Sequence, residues 1–215
     1  ATTKRAGIIT NTDLAAHELS YFGITKPSVM TGHPLSSKSV REPLEYLRDI
    51  NKISVFNYNA RATVVKSYIA FIILVLLLTF ILLEYFKEYV AWMKPLLIAV
   101  LLVPTVLLIL PVTAPWDTIR FAASLISTVT IFSLSVFYLF KDNLKIFVST
   151  CLLSAGLILA DTFLDNPLMR LSILGYDPII GARFYGIGNE YMGFLLGTTI
   201  VGTTALIDCY RDKAG

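Results

Sequence analysis

The stretch YIAFIILVLLLTFILLEYF, Tyr68–Phe86, carries Glu84 as its only charged residue. Wound as an α-helix it is long enough to cross a hydrocarbon layer about 30 Å thick, a crossing that takes roughly 17–25 mostly apolar residues. Working outward, Pro95–Val112, Phe121–Phe140, Ile146–Leu164 and Tyr191–Ile207 repeat the pattern. The expected fold class is therefore an all-α polytopic membrane protein of about five transmembrane helices, preceded by a short α/β remnant and an amphipathic helix. Composition agrees: 55% of the 215 residues are apolar and 15% are charged, against about 25% charged in ordinary soluble domains. A net charge of +3 without a basic, aromatic-interleaved stripe excludes nucleic acid as an expected partner.

Three segments are expected: 1–35, 36–66 and the transmembrane domain 67–215. In the first, Gly7-Ile8-Ile9-Thr10 reads as a short strand. Asn11-Thr12-Asp13 offers N-cap chemistry for a helix over Leu14–Phe22, stopped by Gly23. Lys26-Pro27 through His33-Pro34 reads as loop. From Ser39, Leu44, Leu47, Ile50 and Ile53 recur at helical spacing, with Pro43 in the first turn where its missing N–H costs little. This amphipathic helix is expected to lie on the membrane surface or against a further domain, and to lead into the first span through Arg61 and Lys66. Cys151 and Cys209 lack CxxC or metal-ligand spacing and read as small packing residues. His17 and His33 lie apart, without a local ligand set, so no metal site is expected in this segment.

Pro104 falls mid-span and should kink the second run. Gly193 and Gly197 stand at GxxxG spacing, with Gly202 beyond, a pattern that allows close helix contact. Short loops rich in Lys and Arg mark the cytoplasmic side. Lys87 with Lys94, Lys141 with Lys145, and Arg211 with Lys213 assign those connections inward, whereas Thr113–Asp117 carries no positive charge. The expected placement is an integral plasma-membrane protein with an extracytoplasmic amino end and a cytoplasmic carboxyl end. The opening Ala-Thr-Thr-Lys-Arg, without an export signal, fits a piece of a longer chain.

Polar groups concentrate between spans four and five, from Asp161 to Tyr191, at what is then the outer face. Ionisable groups near membrane depth are costly and are paired or functional. As a pocket for an anionic headgroup, Arg183 would grip a phosphate through its guanidinium fork, with Arg170 assisting. Asp177 or Glu190 would serve as general base, and Tyr185 and Asn189 would orient polar substituents. The competing reading is an ordered outer loop with balanced Arg–Asp charges and Tyr176, Tyr185 and Tyr191 in the interfacial belt. Gly186-Ile187-Gly188 has no preceding strand and no third glycine, so it is not a dinucleotide loop.

Thr2 through Ala15, TTKRAGIITNTDLA, resembles the closing segment of alkaline-phosphatase-like (sulfatase-type) domains, where "T-D-(I/L)-A-P-T" opens a late helix. Tyr21-Phe22-Gly23-Ile24 matches the "LGI" turn that ends it, and Met30–Leu35 matches the "(M)-x-G-x-P-L" that follows; Ala16 stands where Pro is usual. The resemblance implies an extracytoplasmic phosphatase-like domain ahead of a multi-span membrane domain. It implies a divalent metal such as Zn or Mn and a Ser/Thr nucleophile upstream of this segment, and a membrane lipid or lipid-linked glycan as partner. Arg183-Phe184-Tyr185-Gly186-Ile187-Gly188-Asn189-Glu190 is similar to the "R-x-x-G-x-x-x-N" stretch of O-antigen-type ligases and polymerases. That likeness implies a glycan transferase instead. A plain membrane anchor is the third alternative.

Overall fold

The computed structural model describes residues 2, 3, 5–113, 116–140, 142–175 and 187–214, with side chains only to 211 in the last segment. The helices are α1 (Asn11–Tyr21), α2 (Pro43–Tyr85), α3 (Lys94–Ile109), α4 (Thr118–Leu139), α5 (Asn143–Phe163) and α6 (Asn189–Ala214). Five helices are long and apolar enough to span a membrane, so this is a membrane-embedded, all-helical protein. Among the described residues there is no strand, and Gly7–Thr10 is irregular; an isolated extended stretch has no partner to complete a ladder. The chain divides into two compact units at Val55/Phe56.

The first unit is organised by Asp13, whose buried carboxylate accepts from Thr2 N at 2.9 and 3.0 Å and from Thr2 Oγ1 at 2.6 Å. Thr10 N, Thr10 Oγ1 and His33 N donate to it as well, at 3.1, 2.9 and 3.0 Å. Burial alone would push this carboxyl up, but the donors from Thr2, His33 and Thr10 outweigh it and hold it well below the usual carboxylate range. α1 starts at Asn11, three residues before the Leu14 expected, and its N-cap is Thr10 rather than a residue of Asn11–Asp13. It ends as foreseen: Gly23, at φ +69°, lets Ile24 N reach Leu19 O at 2.9 Å and Gly23 N reach Ser20 O at 3.2 Å, a Schellman closure. Along the start of α2, Leu47 and Ile50 pack against Gly7, although Leu47, like Leu44, stays largely exposed.

In the second unit α3 and α5 are central: 50% and 44% of their most apolar windows are buried, against 6% for α2 and 11% each for α4 and α6. The exposed Ile, Leu and Phe side chains of the outer helices are what a bilayer solvates. The connecting helix and first span expected as separate pieces are one continuous helix, α2. Its register differs too. Tyr68 Oη donates to Val100 O at 2.9 Å, halfway along α3, and Phe56 stacks edge-on against Trp116 and Phe121 at the start of α4. Residues 56–67 therefore run alongside the span helices rather than ahead of them.

Prolines shape α3. Pro104 has no N–H for Val100 O, four residues back, and Tyr68 supplies the missing donor. Pro111 likewise leaves Leu107 O without an amide, and Ser172 Oγ donates to it at 2.7 Å. The last turn, Leu110–Val112, tightens into a 3₁₀ helix, as the C-terminal turns of α-helices often do. Asp117 and Asp142 cap α4 and α5 by accepting from Arg120 N and Leu144 N. The close α5–α6 contact is made at Gly202, where a Cβ would lie 2.7 Å from Cys151 Cβ. At Gly193 and Gly197 a Cβ would meet nothing within 4 Å, so the GxxxG pair makes no helix contact among the described residues.

Candidate functional site: the polar end of the second unit

The segment after α5 is a tight chain of turns pinned from within. Asp165 and Asn166 both adopt positive φ, 68° and 59°, a left-handed conformation that Asp and Asn tolerate better than other non-glycine residues. This reversal brings Asn166 N to Asp161 O at 2.7 Å. Asp161, 2% exposed, then accepts from Leu168 N at 2.8 Å and Met169 N at 3.0 Å, so its carboxylate caps the turn that follows. Gly175 closes the stretch: a Cβ there would lie 1.8 Å from Met169 O, so only glycine fits.

Two side chains of α2 hold this segment. Asn57 Nδ2 donates to Leu171 O at 3.0 Å. Arg61 spreads its fork, with Nη1 on Ile173 O and Gly175 O at 3.2 and 2.8 Å and Nη2 on Glu190 Oε1. One guanidinium thus ties α2, the post-α5 segment and the first turn of α6. Tyr191, fully buried, donates to Ser172 Oγ at 2.7 Å, whose own proton goes to Leu107 O, and its hydroxyl lies 3.3 Å from Pro104 O. It belongs to the core and not to an interfacial belt, since its hydroxyl finds a protein partner.

Of the residues singled out from the sequence, Arg170 lies in the turn and pairs with Asp165 at 2.6 Å. Its partner is 74% exposed, so the pair is weak, and Arg170 Nε is buried without a hydrogen-bond partner among the described residues. Glu190 is ion-paired with Arg61, and Asn189 opens α6. Asp177, Arg183 and Tyr185 lie outside the described residues, as does Tyr176. The structure therefore links the Arg170-bearing turn to Glu190 through Arg61, a residue not among those singled out for the site from the sequence. Its signal was present: Asn57 and Arg61 stand four apart, on one face of a helix. Among the described residues no group of three or more His, Cys, Asp and Glu side chains could hold a metal ion. No protein-family model, curated protein or solved structure matches this chain.

Proposed function

We propose that this chain is the membrane domain of a phosphatase- or phosphotransferase-like envelope protein, presenting a lipid or lipid-linked phosphate at the outer face of the plasma membrane. The supporting observation is the gathering of Arg61, Arg170, Asn57 and Glu190 about one turn-rich segment beside α6, with Arg170 Nε buried and unpartnered. A buried guanidinium N–H without an acceptor suits an anionic oxygen. Arg170 and Arg183 would grip the phosphate, and Tyr185 and Asn189 would orient its substituents. With Glu190 engaged by Arg61, the general-base role falls to Asp177. The phosphatase-like domain that residues 2–35 resemble, ahead of this chain, would supply metal and nucleophile.

The test compares retention of a phosphatidic acid and of the matching diacylglycerol by the purified chain in nanodiscs, read by native mass spectrometry. Retention of the phosphorylated lipid should exceed that of the neutral one, and fall about tenfold in both Arg170→Ala and Arg183→Ala, the worth of a charge-assisted pair. Equal retention of the two lipids, or no loss in either variant, would overturn it.

A further inference from the structure

A second polar line runs down α2. Asn59 stands two residues beyond Asn57, about 200° around the helix, and Thr63 and Ser67 follow at four-residue intervals. All three are exposed, and all three line a cavity of about 640 Å³ between α2, α3 and α4. Its apolar wall comes from Phe71, Val103, Leu125 and Val129.

Many hydroxyls elsewhere in the spans are satisfied on their own helix, one turn back. Thr79, Thr150 and Thr198 fold back onto the carbonyls of Val75, Ile146 and Phe194, four residues earlier. Asn59, Thr63 and Ser67 hydrogen-bond nothing among the described residues. Polar groups left unpartnered against hydrocarbon cost several kcal/mol each. Three on one stripe define a side of the cavity that fits a ligand with its own polar groups.

We infer that this cavity seats one hydrocarbon chain of a membrane amphiphile, with the polar linkage at the head of that chain held by Asn59 and Thr63. The volume lies within the roughly 300–1,000 Å³ of small-molecule sites. From Thr118 to Thr130 the α4 wall is about 18 Å long at 1.5 Å per residue, near the ~15 Å hydrocarbon depth of a single leaflet. A helix of another chain over the same length would fill roughly 1,400 Å³, far more than the space. A chain-shaped amphiphile meets the apolar wall and the polar stripe together. The site lies on the face of α2 away from Asn57 and Arg61, so it does not depend on phosphate binding at the polar end.

The experiment uses the purified chain in phosphatidylcholine vesicles doped with a phosphatidylcholine carrying a diazirine on one acyl chain. Light-induced adducts are mapped by peptide mass spectrometry. Adducts should concentrate on 59–71, 96–103 and 118–130, and in Thr63→Trp, which fills the cavity from an exposed position, fall about tenfold there. Adducts on the outward residues 73–80 should not change. Ala122→Leu, narrowing the same space from α4, gives a second reading should the tryptophan disturb folding, as judged by the thermal transition. Undiminished cavity labelling in both variants would overturn the inference. So would labelling spread evenly over all outward faces, or cross-links that place a helix of a second copy in the cavity.

Discussion

Asp13 is the residue on which the first unit turns. Its carboxylate binds its proton at lower pH in the folded chain than in the unfolded one. The unfolded chain therefore takes up more protons as pH drops, and the stability Asp13 contributes, full above about pH 4, fades as pH falls through the folded value. Limited proteolysis of residues 2–35 should accelerate below about pH 4 in the parent chain. Asp13→Asn, which loses the charge-assisted bonds, should be cleaved about tenfold faster at pH 7 and show little further change on acidification. An unaltered pH profile would count against the carboxylate as the pin. The resemblance marked this residue through "T-D-L-A", but only the structure shows why an ionised side chain belongs there: besides Thr10 in the local cap, its donors come from Thr2 and His33, 11 and 20 residues away and joined by the fold. For Arg61 the spacing from Asn57 shows a shared helix face, but its acceptors lie 112 to 129 residues away and only the fold identifies them.

At the scale of elements, hydroxyls from neighbours complete the α3 backbone. Tyr68→Phe should destabilise the chain by ~1 kcal/mol, leaving Val100 O without a donor. Joined to Pro104→Ala, which restores the amide, the same change should cost close to nothing. A thermal-denaturation double-mutant cycle in detergent reads the difference, and purely additive effects would exclude the exchange. Gly202→Ala should destabilise by ~1–3 kcal/mol through its approach to Cys151, while Gly193→Ala, facing open space, should be neutral or stabilise by up to ~1 kcal/mol. The helices themselves were legible, because twenty apolar residues have few soluble uses. Their ends and faces were less so. A glycine at i, i+4 spacing looks alike whether it touches a helix or faces lipid, and a tyrosine beside a span looks alike in a belt or a core. Only packing separates Gly202 from Gly193, or buries Tyr191.

For the whole molecule, the distribution of Lys and Arg among short loops predicts an orientation that labelling can check. A cysteine-free chain carrying Glu88→Cys should react with a membrane-impermeant maleimide only from the cytoplasmic side, and one carrying Thr113→Cys only from outside. The reverse pattern would invert the proposed placement of the Arg170-bearing turn. The hydropathy profile could announce membrane residence but not which polar residues meet, since 56–67 read as a prelude to the first span. It is the pairing of Tyr68 with mid-α3 that sets this stretch beside the bundle.

The prolines of α3 also bear on how the chain is made. When the ribosome has delivered α3 into the translocon, the donor that Leu107 O needs, Ser172, has yet to be synthesised. Until the post-α5 segment emerges and docks, α3 carries a bare carbonyl toward lipid, an incentive for it to linger in a wetter, translocon-adjacent position. Its settling into the bilayer is then expected to await residues translated well after it.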